Sequence, residues 1–178
     1  GHRALGLPDR NDRSCRTRVV QDQSQGHTGA TLESDRKVSF PAPIDVLPHR
    51  PPFLFVDEVL ALEPGQSARG RWRLVGDEWF FPGHFPGRPT LPGVLMCESI
   101  AQLGAIAVLT SGVANGRLPL FGGLDGARFR RQVGPGDELI LEVELGRMSS
   151  RAGKGSGRAL LGDDVACECE LMFVFVDA

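Results

Sequence analysis

No tyrosine occurs among the 178 residues and tryptophan appears only twice, so ten phenylalanines supply most of the aromatic surface. No charge of either sign dominates: 20 Lys and Arg stand against 22 Asp and Glu, for a net charge of −2. That balance gives no bulk electrostatic argument for nucleic acid or for a membrane surface. The chain does not open on a basic segment followed by an apolar core, so no signal peptide is expected. It contains no internal repeat and no low-complexity array. Cysteine is scarce, at positions 15, 97, 167 and 169. That spacing fits neither a zinc knuckle nor a thioredoxin-like motif. Reduced, structural cysteines are expected rather than a metal site, in keeping with a reducing, cytoplasmic compartment.

What the chain does have is 23 glycines, 13 prolines and an ordinary 41% of hydrophobic residues. The length suits one domain, or one domain and a tail. Residues 1–38 are polar, mixed in charge and without aromatics or a sustained period, which reads as a flexible tail. The folded domain is expected over 39–178. It starts with "FPAPIDVLPHRPP", a lead-in stiffened by prolines, with at most one helical turn. Strands are expected at 53–63 and, as its hairpin partner, 66–76. Four more are expected after the helix, at 118–129, 137–149, 153–162 and 165–176. In the second of these Leu139, Leu141, Val143 and Leu145 fall on one face. Between the two groups lies an apolar helix from about Gly93 to Ser111, entered at Pro92 and ended by Gly112. A membrane span needs about 20 mostly apolar residues. This helix carries Glu98, Ser99 and Gln102, so a buried core helix is the better reading. Being apolar nearly all round, it must be covered on most sides. The fold class is α+β: an antiparallel sheet of about six strands wrapped around one long helix.

The chemistry concentrates in "WFFPGHFPGRPTLPGVLMCESIAQLGAIAVL", residues 79–109. His84 sits among prolines and glycines that can hold an imidazole in one place. An imidazole suits proton transfer near neutral pH. It is either such a base or a histidine packed in a tight loop. Glu98 is the only formal charge between Arg88 and Arg117. Buried, it would resist ionisation and suit a general acid; otherwise it is an acid reaching solvent at the helix edge. Gln102 lies one turn on and can hydrogen-bond it. Gly93 opens the helix, where unpaired N–H groups and the dipole favour a developing oxyanion; it is otherwise only a helix start. A base, an acid and an oxyanion donor together equip a site to remove a proton α to a carbonyl and expel a β-hydroxyl as water.

The segments "LPHRPPFLFVDEV", "FFPGHFPGRPTLPGVLMCESIAQ", "LDGARFRRQVGPGDELILEVEL" and "CECELMF" carry a resemblance. From about residue 40 to 176 the chain resembles the β-hydroxyacyl-[acyl carrier protein] dehydratases of type II fatty acid synthesis. The resemblance implies a hotdog fold. It also implies a homodimer whose two sites each take the loop histidine from one subunit and the helix glutamate from the other, often as a trimer of dimers. His84 would take the C2 proton of a (3R)-hydroxyacyl thioester. Glu98, oriented by Gln102, would protonate the departing hydroxyl, and the Gly93 amide would bind the carbonyl. The product would be the trans-2-enoyl thioester, with no metal or redox cofactor. Related enzymes that also isomerise the double bond carry Asp at the position of Glu98, and thioesterases of this fold lack the His-Phe-Pro-Gly loop.

Acyl carrier protein is acidic, so Arg88, Arg128, Arg130 and Arg131 are candidates for docking it, with a solvated strand edge as the alternative. Arg128 and Arg130 are expected on one strand face. Phe53, Phe55, Phe81, Phe85, Ile100 and Leu103 are candidates for an acyl tunnel, although all suit a core equally. Relatives often gate that tunnel with a tyrosine, which this chain lacks. His49, in "LPHR", reads as structural. Two other functions fit the pattern less well: a hotdog module that binds acyl thioesters without turning them over, and the same dehydration in a specialised polyketide or lipid pathway.

Overall fold

The computed structural model describes residues 39–177. The tail expected at 1–38, with Cys15, lies outside them. The elements follow in the order α1 (Pro43–Val46), β1 (Glu58–Glu63), β2 (Ser67–Arg73), α2 (Gly93–Thr110), β3 (Leu118–Phe129), β4 (Glu138–Met148), β5 (Ala152–Leu161) and β6 (Asp164–Val176). The strands form one sheet in the order β1-β2-β4-β5-β6-β3. Every neighbouring pair is antiparallel. The sheet curls around α2, which gives the hotdog arrangement.

Burial follows the alternation in the sequence. Leu139, Leu141 and Val143 of β4 are buried while Glu138 and Glu144 are exposed. In α2 every residue from Leu95 to Val108 is buried except Glu98. The helix is long and apolar enough to cross a bilayer, yet 72% of it is buried inside the protein, where the sheet takes the place of lipid. Close approach is achieved with glycines. A Cβ on Gly104 of α2 would stand 2.8 Å from the Phe173 ring of β6, and one on Gly70 of β2 would stand 2.8 Å from Leu103 Cδ1. Gly112, just past α2, has a φ of +76°, a left-handed conformation that glycine adopts without strain.

The strand expected at 53–63 starts only at Glu58. Phe55 and Val56 are buried in succession, which a regular two-residue alternation does not allow. The backbone of this stretch is occupied elsewhere: the Phe55 N–H donates to Gln102 Oε1 at 2.8 Å, and the Phe53 carbonyl accepts from Gln102 Nε2 at 3.3 Å. Residues 53–56 thus cover α2, and Asp57, whose N–H donates to the Arg71 carbonyl of β2 at 2.8 Å, leads into β1.

Cys97, Cys167 and Cys169 are free and buried. Cys97 and Cys167 hold their sulfurs 3.7 Å apart, in contact without the bond length of a disulfide. Contacts with the Cys169 and Cys97 sulfurs, then burial, hold the Cys167 thiol above its ordinary range. These are packing thiols.

Candidate active site

The loop between β2 and α2 is built from short turns. The His84 N–H donates to the Phe80 carbonyl at 3.0 Å, and Phe85 and Arg88 exchange backbone hydrogen bonds of 3.2 and 2.9 Å. The Thr90 N–H donates back to the His84 carbonyl at 2.7 Å. The imidazole is fixed as firmly as the backbone. Its Nδ1 lies 2.7 Å from the Thr90 carbonyl oxygen. A carbonyl only accepts, so Nδ1 carries a proton, and in the neutral ring Nε2 keeps its lone pair. The ring stacks on Phe85, with centroids 4.2 Å apart. Behind Thr90, Gln132 Nε2 donates to its hydroxyl at 2.5 Å, and Arg88 Nη2 donates to Gln132 Oε1 at 2.9 Å.

His84 opens onto a cleft of about 500 Å³ that also contains Gly93, Val94, Met96 and Phe129. Among the described residues no side chain caps α2 at its N-terminus; the Leu95 N–H turns back to the Pro92 carbonyl at 2.9 Å, which leaves the Gly93 and Val94 N–H groups for a ligand or water. Gly93 has a packing reason as well as a chemical one. A Cβ there would stand 2.8 Å from Phe129 Cδ1, so the cleft keeps its shape only with glycine at this position.

Glu98 does not line that cleft. Its surroundings come from the other side of α2. Gln102 is 1% exposed, and its amide orientation is forced. Its oxygen must face the Phe55 N–H donor, so its NH2 faces Glu98 Oε1, 3.0 Å away. The carboxylate is neither sealed in nor free, with 19% of its side chain exposed. His49 Nε2 stands 3.7 Å from the same Oε1. The one local signal for this second histidine was a proline-stiffened segment, and its neighbour is 49 residues away in sequence.

The remaining expected residues divide. Ile100 and Leu103 are completely buried, Phe81 is buried, and Phe85 is 55% exposed against His84. Phe53 is 44% exposed, and Phe55 is buried. Arg128 pairs in register with Glu168; its guanidinium donates to the Ala127 carbonyl at 3.0 Å. Arg130 forms an ion pair with Glu168, and Arg131 forms one with Asp164 at 3.1 Å.

An antiparallel sheet wound around one long helix defines the hotdog class of proteins. A family model described as a FabA-like domain matches residues 47–170; the chain belongs to that family. It is 55% identical over 128 residues to the 3-hydroxyacyl-[acyl-carrier-protein] dehydratase FabZ of Moorella thermoacetica, which covers 72% of this chain and 90% of the relative. It is 52% identical over 132 residues to the enzyme of the same name from Chloroflexus aggregans, covering 74% and 92%. Among solved structures, the dehydratase heterocomplex ApeI:P from Xenorhabdus doucetiae superposes with a TM-score of 0.66 at 15% identity, covering 78% of this chain and 93% of that one. At that identity the likeness is one of fold.

Proposed function

We propose that the protein dehydrates (3R)-3-hydroxyacyl-[acyl carrier protein] to the trans-2-enoyl thioester in fatty acid biosynthesis, with His84 as base and Glu98 as acid. The observation that carries this is the His84 tautomer. An imidazole whose Nδ1–H is tied to a backbone carbonyl at 2.7 Å offers an unprotonated Nε2 to the cleft, which a mere binder of thioesters does not need. In the reaction Nε2 takes the C2 proton and the C2–C3 double bond forms. The C3–O bond breaks as Glu98 gives its proton to the departing hydroxyl, and water leaves. The negative charge that gathers on the thioester oxygen lies at the N-terminus of α2, within reach of the Gly93 N–H. The side chains supply acid and base, so the step calls for no metal or redox cofactor. Glu98 in place of aspartate favours dehydration without isomerisation.

On this reading the working unit is a homodimer. Support comes from the separation of the two groups: His84 lines a cleft that Glu98 does not. It comes also from the sheet edge. β3 is an edge strand with Leu120, Phe121, Leu124 and Phe129 exposed, and such an edge is prone to pair. A second copy there would bring its own Glu98 towards the cleft. Phe81 and Phe85 would border the acyl chain, and Ile100 and Leu103 would back it from the core. Arg88 and Arg128 would meet the acidic carrier, with Arg130 and Arg131 behind them. The expected setting is the cytoplasm.

The test is hydration of a trans-2-enoyl thioester, followed as loss of its ultraviolet absorbance. Wild type should consume the signal, and His84→Ala should lose about 10²–10⁴ of the rate with an unchanged melting curve. No consumption by folded wild type, on carrier-linked and short substrates alike, would favour the non-catalytic binding module.

A further inference from the structure

His49 takes no part in the reaction just described, yet it holds a specific place. It lies on the lead-in between α1 and β1, with 27% of its side chain exposed. Its Nδ1 is buried and has no hydrogen-bond partner among the described residues. An orphaned buried N–H is costly, whereas an orphaned lone pair costs less. The tautomer with the proton on Nε2 is therefore favoured. Nε2 lies 3.7 Å from Glu98 Oε1. At this distance the contact is electrostatic and longer than a hydrogen bond, as contacts to catalytic groups often are before substrate binds. Arg50, the neighbouring cation, is turned aside, with Nη1 on the carbonyls of Leu47 and His49 at 2.8 and 2.7 Å.

Two N–H groups therefore converge on one oxygen of Glu98. Gln102 Nε2 comes from α2 at 3.0 Å, with its orientation forced by Phe55; His49 Nε2 comes from the lead-in. An oxygen that accepts from Gln102 and has the positive end of a second N–H dipole beside it is a poor place for a proton. We propose that His49 is a positioning residue: with Gln102 it dedicates Oε1 to accepting, so that the proton Glu98 delivers resides on Oε2. This rests on the reading of Glu98 as the acid. His49 itself touches no reacting atom.

The experiment compares His49→Gln, which can still present an N–H near the position of Nε2, with His49→Asn, which is too short to do so. Hydration of the crotonyl thioester of N-acetylcysteamine is the readout, in the wild-type and Glu98→Gln backgrounds, beside thermal melts. His49→Asn should lower kcat about tenfold, the order expected for losing one hydrogen bond to a charged group, with KM within about twofold. His49→Gln should recover most of that loss. In the Glu98→Gln background His49→Asn should cost nothing further. An unchanged kcat in His49→Asn overturns the proposal. So does a His49→Gln as slow as His49→Asn, or the same tenfold loss without the Glu98 carboxyl. Wild-type turnover by Glu98→Gln alone would remove the acid assignment and this proposal with it, while an inactive Glu98→Gln beside an unaffected His49→Asn would sink the proposal only.

Discussion

The loop from Trp79 to Leu91 and the helix that follows it sit side by side in the chain and are held by different forces. The loop has few buried side chains. Pro82, Gly83 and residues 85–89 are exposed, and its shape is kept by main-chain hydrogen bonds from residue to residue. The helix is the reverse. Almost nothing of it reaches solvent, and its position is set by the side chains of the sheet closing on it. His84 is thus placed by local backbone geometry, and Glu98 by the burial of the helix that carries it. Substitutions in the two should differ in kind: helix changes should cost stability first, loop changes activity first.

Gly104→Ala tests the helix side and carries the largest stability effect. The added Cβ would stand 2.8 Å from the ring of Phe173 and 3.4 Å from Val143 Cγ2. Phe173 is 1% exposed, so its ring has nowhere to swing. Overpacking of this sort costs about 1–3 kcal/mol, against a gain of up to about 1 kcal/mol in helix propensity. The net should be destabilising. We expect a lower urea midpoint at fixed protein concentration, with turnover per folded molecule close to wild type. Stability equal to wild type would mean that the core yields more easily than its packing suggests.

Gly87→Ala tests the loop side. Gly87 has a φ of +75°, and nothing stands within 4 Å of a Cβ built there. The cost is therefore conformational alone, about 1 kcal/mol. Gly87 lies inside the Phe85–Arg88 turn that follows His84, so a shifted turn moves the imidazole. We expect stability to fall by no more than about 1 kcal/mol while kcat drops several-fold, and Gly87→Asn, which tolerates this region better, to fall between. A loss of stability larger than that of Gly104→Ala, with kcat intact, would break the contrast.

Much of this division was legible in the sequence, because each half announces itself locally. Proline and glycine around His84 mark a stiff loop, and the apolar run between Pro92 and Gly112 marks a helix that must be covered. Strand β3 starts and ends where expected, and β4, β5 and β6 do so within one residue. What escaped was tertiary. The stretch 53–56 has strand-like composition, and Gln102, far along the chain, shows why it does not join the sheet. His49 looked structural because its proximity to Glu98 leaves no trace in local pattern. The packing of Phe129 over Gly93 is hidden for the same reason.

The smallest effect belongs to the outer rim of the loop, where the contrast concerns charge. Arg88, Arg128, Arg130 and Arg131 stand at the edge of the histidine loop and β3, but they are not equivalent. Arg130 is engaged with Glu168 and Arg131 with Asp164; reversing either would place two carboxylates side by side and confuse docking with repulsion inside the protein. Among the described residues Arg128 donates only to the Ala127 carbonyl, but it stands opposite Glu168 in the sheet register, so neutralising it rather than reversing it is the cleaner probe. Rim charges act chiefly on encounter and its salt dependence. We expect Arg128→Gln to lower kcat/KM for carrier-linked substrate by roughly threefold at low salt, and to leave the short thioester and the melting curve untouched. The deficit should shrink as salt screens the carrier's approach, since the screening length falls to about 8 Å at physiological ionic strength. Equal losses on both substrates would place Arg128 in the fabric of the site and move carrier docking elsewhere, with Arg88→Glu as the next substitution: its bond to Gln132 ties the rim, through Thr90, back to the imidazole.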